Sequence, residues 1–555
     1  MHLNHFTTGM LIAAVALLLT GSMVSGKSLK APPGLFKDLN DEIVADAIII
    51  NGKQLFIDDY IIEELKGTKK VLNQPVKHPK NPLVVPDKPW EGKVITNSVI
   101  YDKEEGIYKM WYTPHSGEWV GGYCPTHWVG YATSKDGINW RKPLITPWKG
   151  NTKSNIVFSG KPALNCAGVF KDPAETDPKR RYKMLYSYYP DGTAKTASTN
   201  AAYSPDGIHW TEEPENPLIP FSDVQPCAFW DASRGRYVAY LRYGPPNTRI
   251  ISRIESEDFV HWSPKVSLFS LNNPLEWAFF QASHYAMPVL PYEGVYIGFL
   301  PVYQGETIKP IPEEDKAWRD KVRVQLTFSR DGLTWLRIGK YGPIPTTKLY
   351  TGIDLTTDKE WKTRLRPHWR KVCDEATFLP YGEHGKDWDW GMILLWDAPL
   401  VVGDEIWIYY VGARGRHFAW SRTPFHKDKI KKKGIGLATL RLDGFVSIDA
   451  VAAGTMTTKK FVFIGDTLEI NANAKGGSII VEALDADGKV IEGFSKEDCT
   501  AITTDSVRHM LKWKGKKDCH LIQARPISLR FHLKKAKLYS FTPRIRHKHY
   551  VQSYD

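Results

Sequence analysis

Ser134-Lys135-Asp136-Gly137-Ile138-Asn139-Trp140 recurs as Ser204-Pro205-Asp206-Gly207-Ile208-His209-Trp210, as Ser256-Glu257-Asp258-Phe259-Val260-His261-Trp262 and as Ser329-Arg330-Asp331-Gly332-Leu333-Thr334-Trp335. A shortened fifth copy is Leu442-Asp443-Gly444-Phe445. Each reads as a hairpin turn in which the aspartate accepts backbone N–H bonds, the glycine where present takes positive φ, and the tryptophan packs on a neighbouring sheet. A strand precedes each copy, such as Gly130-Tyr131-Ala132-Thr133 or Gln325-Leu326-Thr327-Phe328. An aromatic strand comes before that, over 108–112, 182–186, 237–241, 296–300 and 407–411. Five units of about four strands each, spaced 50–110 residues apart, predict a five-bladed β-propeller. No long segment of helical period interrupts residues 75–445, so the fold class is all-β.

A second repeat links the ends of this array. Trp388-Asp389-Trp390-Gly391 and Trp407-Ile408-Tyr409-Tyr410 have a twin 298 positions earlier, in Trp90-Glu91-Gly92-Lys93 and Lys109-Met110-Trp111-Tyr112. In both copies 22 positions separate the first tryptophan from the closing tyrosine, and a carboxylate follows that tryptophan. In a closed ring the first and last units are neighbours, so Glu91 and Asp389 are expected to meet near one axis.

The flanks read differently. The apolar run over 10–19, followed by Gly21, Ser22, Ser25 and Gly26, is too short to span a bilayer and reads as a secretory signal peptide over 1–26. A lead-in segment follows over 27–52, then the propeller over 53–449. Alternating strands with an Asp485-Ala486-Asp487-Gly488-Lys489 turn predict a C-terminal β-sandwich over 450–545, and a basic tail closes the chain at 546–555. A long insertion over 338–388, with Arg364, Arg366, His368 and Arg370, is expected at one rim. Six cysteines in 555 residues are no disulfide scaffold, although Cys499 and Cys519 lie close enough in sequence to bridge in an oxidising compartment. No spacing resembles a zinc site, and no cofactor is expected, although a structural Ca2+ in the channel is compatible with the pattern.

Hydrophobic content of 42% and charged content of 24% describe a globular chain. The net charge of +13 carries no Lys/Arg-rich arm or nucleic-acid motif, so it argues against nucleic-acid binding and is compatible with an acidic polysaccharide. The 20 Trp, 26 Tyr and 22 Phe suit strand packing first and sugar stacking second.

Residues at the start of each blade's first strand crowd the channel mouth. That position offers Glu91 and Asn97 in blade one, Asn155 and Asn165 in blade two, and Asp223 and Gln225 in blade three. Blade four offers Glu276, His284 and Tyr285, and blade five Asp387 and Asp389. Carboxylates converging on one funnel suit glycoside hydrolysis, with one ionised and one held protonated. The expected catalytic set is Glu91, Asp223, Glu276 and Asp389, with His284 as a rival acid. Asn97, Asn165, Gln225, Tyr285, Arg242, Arg414 and His417 are the expected substrate contacts, the arginines as clamps for a carboxylate or sulfate.

The five-blade count, the Ser-x-Asp-Gly-x-x-Trp turns and the appended β-domain resemble the furanosidase superfamily of five-bladed glycoside hydrolases (families 32, 43, 68 and 117). Leu55-Phe56-Ile57-Asp58-Asp59-Tyr60, Pro89-Trp90-Glu91-Gly92 and Met287-Pro288-Val289-Leu290-Pro291-Tyr292-Glu293-Gly294 are similar to secreted, family-32-like propeller proteins of polysaccharide-degrading bacteria. Over residues 50–545 the resemblance implies the fold, and less specifically glycosidic hydrolysis of plant or algal oligosaccharides. The Asn-Asp-Pro-Asn-Gly opening of invertases is absent, and Lys171-Asp172-Pro173 is the nearest match to their Arg-Asp-Pro. The histidine acid of family 117 keeps His284 in play by analogy. Three alternatives stand beside a secreted or periplasmic, exo-acting glycosidase. A non-catalytic carbohydrate-binding propeller would keep the aromatics and lose the paired acids. A polysaccharide lyase would use Tyr285, His284 and Arg242, and a sialidase-like enzyme would want six blades.

Overall fold

The computed structural model describes residues 47–115, 128–147, 152–159, 164–190, 196–220, 222–243, 249–268, 282–304, 321–344, 370–415, 433–514 and 519–545. Among these, helix is confined to a 3-10 turn at Pro178–Arg180 and a short helix at 370–375. The chain divides into two compact units: residues 74–339 with 344–441, and the remainder before 74, over 340–343 and after 441.

The first unit holds five consecutive antiparallel sheets, the blades of a propeller. Blade one comprises Lys93–Asp102, Ile107–His115, Val129–Ser134 and Ile156–Phe158. Blade two is built on Leu164–Lys171, Tyr182–Tyr188 and Ser198–Ser204, with Thr211–Glu212 and Ile219–Pro220 at its outer edge. Blade three runs Asp223–Asp231, Arg236–Tyr243, Ile250–Ser256 and Val266–Ser267. In blade four, Ala282–His284 and Val289–Tyr292 share the inner edge of Val295–Gln304, followed by Lys321–Ser329 and Leu336–Gly339. Blade five has Met392–Leu394 and Leu400–Val402 on Glu405–Ala413, then Lys433–Arg441. Every expected aromatic stretch falls in the second strand of its blade.

The four full-length turns form as their sequences require. In the first, Asp136 Oδ1 accepts N–H bonds from Ile138 and Asn139 at 2.9 and 2.8 Å, and Trp140 Nε1 donates to Gly137 O. Gly137 sits at φ 70°, where a Cβ would strike Trp407. The third copy places Phe259 at the same φ of 70°. The strain of a non-glycine residue there is offset by burying its ring among Phe170, Tyr237 and Trp262.

These turns also join the blades. Trp111 of blade one donates to Gly207 O of blade two at 2.7 Å, and Tyr240 of blade three to Gly332 O of blade four at 2.9 Å. Tyr409 of blade five donates to Gly137 O of blade one at 2.7 Å, and Tyr108 stacks on Trp407 at 5.7 Å. The last blade therefore packs on the first, and the five-membered ring closes.

Closure corrects one expectation. The fifth turn, 442–445, does not lead to an outer strand of blade five but into Val446–Thr458 of the second unit. The outer strand of blade five is instead Val76–Lys77, which pairs with Thr439 and Ala438. A second correction concerns the insertion. Its end returns to blade four, where Thr377–Leu379 pairs with Gln325 and Val324. Arg364, Arg366 and His368 lie outside the described residues.

The second unit is organised on one long strand, Ser528–Arg544. Its first half pairs with Ser478–Leu484 and its second with Thr467–Asn473 along one edge, and Val446–Thr458 lies along the other. Lys535, at φ 46°, falls where the partner changes. Gln54–Leu55, Ile62–Lys66 and Lys69–Leu72 join this eight-stranded sheet. These N-terminal strands, expected within the propeller at 53–449, thus belong to the C-terminal β-unit. Phe56, Ile61 and Ile62 explain why: they bury in one core with Phe461, Leu468 and Phe541. Cys499 and Cys519 are buried free thiols in that unit.

Candidate functional site

Glu91 and Asp389 each enter a clamp inside their own blade. Glu91 accepts the Tyr112 hydroxyl, Lys142 Nζ at 2.7 Å and the backbone N–H of Asp87 at 2.9 Å. Asn155 donates from Nδ2 to Tyr112 Oη and to Tyr131 O, and its Oδ1 receives Trp90 Nε1 at 3.0 Å. In blade five Asp389 accepts the Tyr410 hydroxyl at 2.8 Å and Lys77 Nζ at 2.6 Å. Asn81 donates to Tyr410 Oη at 3.2 Å and to Leu437 O at 2.8 Å. The two clamps share the tyrosine hydroxyl, the lysine and the asparagine that donates to the tyrosine oxygen and to a backbone carbonyl, and both carboxylates are buried. Burial and the adjacent carboxylate push both tyrosine hydroxyls well above their ordinary pKa.

Blade two carries a variant in which Asn216 grips the Ala201 backbone with two 2.8 Å bonds while Tyr186 donates to Glu212 of the outer strand. In blades three and four the tyrosine position is Leu241 and Leu300, and the clamp is lost. The shared register of the twin thus has a local explanation: a buried acid needs a lysine, a tyrosine and an asparagine around it.

Asn97, Asn165, Asp223 and Gln225 lie on the inner strands of blades one, two and three, and only their backbone is described. Asp223 is the cross-strand partner of Arg242. Glu276 and His417 lie outside the described residues. Arg414 donates to the Lys386 and Gly385 carbonyls at 2.6 and 3.2 Å, holding the turn before blade five.

His284 and Tyr285 stand together at the opening of blade four. The buried His284 ring places Nε2 3.0 Å from a nitrogen of Arg337. An arginine only donates, so this Nε2 is an acceptor and the ring proton is on Nδ1. The Tyr285 ring meets Tyr303 edge to face at 5.8 Å and lies under two guanidiniums, those of Arg242 at 5.2 Å and Arg249 at 4.9 Å. Sequence reading missed Arg249, which stands alone before a strand without a motif to mark it.

Asp397 was missed as well. It follows Trp396 where the inner strand of blade five breaks, and in the twin register its counterpart is Val99. Its Oδ2 accepts the Val99 N–H of blade one at 3.0 Å and its Oδ1 its neighbour Ala398 at 2.9 Å. Desolvation pushes this carboxyl up to about 7, against the opposing hydrogen bonds from Val99, Ala398 and Ser98. Beside it, Cys227 of blade three donates to Trp396 O at 3.3 Å. Blades three and five are not neighbours in a ring of five, so this contact crosses the axis below the mouth. Among the described residues no group of three or more His, Cys, Asp or Glu is placed to hold a metal ion.

The fold defines the class: an all-β, five-bladed propeller. No protein-family model and no curated protein matches the sequence. Among solved structures the chain is similar to an N-acetylgalactosamine deacetylase from F. plautii in complex with blood group B trisaccharide, at 15% identity and TM-score 0.41, covering 68% of this chain and 97% of that one. It is similar to a glycosyl hydrolase from Bacteroides ovatus at 14% identity and TM-score 0.40, covering 67% and 94%. A fructofuranosidase from Schwanniomyces occidentalis complexed with fructosylnystose aligns at 11% identity and TM-score 0.37, covering 86% and 98%.

Proposed function

We propose that the protein is a secreted glycoside hydrolase that works from the end of an oligosaccharide at the mouth of the propeller channel. The observation that supports this reading is the gathering of Tyr285 and its two arginines at blade four, with Cys227 of blade three meeting Trp396 of blade five. Tyr285 and the arginines on it stand at the opening, and the Cys227–Trp396 contact crosses the axis roughly 10 Å further along the strands. An axis bridged by such a contact suits a chain end rather than a chain middle, which supports exo action. The apolar run over 10–19 supports secretion.

In this reading Asp223, the cross-strand partner of Arg242, supplies the ionised carboxylate. Glu276, ahead of the inner strand of blade four, is its acid partner. Asp397, at about 7, is a third, deeper carboxyl that stays protonated below neutral pH and tunes the others. His284 is not the acid in this reading, because its Nε2 already accepts a bond from Arg337. The test is product release from neutral, uronic and sulfated oligosaccharides. Asp223→Asn and Glu276→Gln are each expected to lower kcat by about 100-fold or more with the thermal melt unchanged. Retention of activity in both variants would remove the assignment.

The clamps favour a second reading. Glu91 and Asp389, the pair that suggested chemistry, are engaged by lysines, as suits a non-catalytic carbohydrate-binding propeller. Saturable binding with no product from any substrate would select it.

A further inference from the structure

Arg249 stands beside Tyr285 with no chemical role in the hydrolase reading. Its guanidinium lies 4.9 Å from the Tyr285 ring centroid and 5.7 Å from that of Tyr303. Both rings are buried, and Arg249 itself is half-buried. Its carbonyl accepts the His284 N–H at 3.3 Å, which ties the start of the third strand of blade three to the inner strand of blade four. Among the described residues the Arg249 guanidinium makes no hydrogen bond and no ion pair. Other half-buried or buried arginines of blades three and four differ: Arg323 pairs with Asp374, Arg236 with Glu255, and Arg253 also with Glu255.

A second cation, Arg242, converges on the same ring at 5.2 Å. Two like charges converging on one ring repel each other, and an anion bound at them relieves that repulsion. Resting against two tyrosine rings, the planar fork of donors on Arg249 suits a bidentate oxyanion rather than a point charge. The surrounding tyrosine faces suit a sugar ring carrying that anion.

We infer that Arg249, together with Arg242 and the face of Tyr285, seats an oxyanion substituent of the sugar, either the carboxylate of a uronic residue or a sulfate ester. This rests on the proposed carbohydrate-active mouth and names the charge of its ligand. It is tested by binding, without turnover, so that its failure and that of the hydrolase reading are distinct.

The full chain is titrated calorimetrically with an oligogalacturonide, a sulfated galacto-oligosaccharide and their neutral counterparts. One charged ligand is expected to bind at least about 10-fold more tightly than its neutral counterpart, and to weaken as salt rises. Which one does so separates uronate from sulfate. Arg249→Ala is expected to abolish the preference. Arg249→Lys, which keeps the charge and loses the fork, is expected to retain only part of it, and Arg508→Ala in the other unit to leave it intact. Equal affinity for charged and neutral ligands, a preference that survives Arg249→Ala, or no binding of either charged ligand would overturn the inference. Hydrolysis of a neutral substrate without charge preference would overturn it and leave the hydrolase reading standing.

Discussion

At the residue scale, the carboxylate one position after Trp90 or Trp388 is decided by what surrounds it. Asp389 is 1% exposed and Glu91 7%, and a charge so placed needs full compensation. Lys77 and Lys142 supply the opposite charge, and Tyr410 and Tyr112 supply hydroxyl donors. Lys77→Met leaves Asp389 buried without its cation and is expected to destabilise the propeller by about 3–5 kcal/mol, read as a shift of the urea midpoint. Adding Asp389→Leu to that variant is expected to recover part of the loss. A double variant as unstable as the single one would show that the clamp is not the reason for the twin. From sequence alone, a structural ion pair and a catalytic pair look alike here, because both demand an acid at a repeated position. The partners that distinguish them, Lys77 and Asn81, lie over 300 residues from Asp389 in the chain.

At the element scale, the Ser-x-Asp turns are self-sufficient, which is why they were legible. The bonds that shape each one run within seven residues. Burial pushes the Asp206 and Asp331 carboxyls up. Backbone N–H bonds from His209 and Ile208, and from Thr334 and Leu333, outweigh it and hold both at about 2. A carboxyl whose folded pKa is depressed adds stability above its unfolded pKa near 4 and loses it as pH falls through the folded value. Unfolding free energy is therefore expected to fall between about pH 4 and pH 2. The Asp206→Asn/Asp331→Asn variant is expected to show a shallower fall over the same window in urea melts. An unchanged slope would place the acid sensitivity elsewhere. Strand breaks in the inner strands, at 96–98, 165–167 and 395–399, were not legible, since a bulge is set by what the neighbouring blade presents.

At the scale of the whole propeller unit, the ring closes through strand pairing, hydrogen bonds and ring stacking. Val76–Lys77 supplies the outer strand of blade five, Tyr409 reaches Gly137, and Asp397 reaches Val99. Val76→Pro removes a backbone donor from that two-residue strand. It is expected to raise amide exchange in Lys433–Arg441 of blade five and also in Lys93–Asp102 of blade one, because the seam joins them. Loosening of blade five alone would mean that the blades respond independently.

The turns, the alternating strands and the aromatic spacing determined by themselves that this chain is all-β and builds five blades, because each of those signals is a local balance of backbone geometry and burial. The tertiary structure alone decided where the acids point. It also decided that the strands before residue 74 join the C-terminal β-unit while Val76–Lys77 completes blade five, and that Arg249 rests unpaired on Tyr285, among the described residues. Those outcomes depend on side chains brought together from distant parts of the chain, and electrostatic compensation acts across space without regard to distance along the sequence.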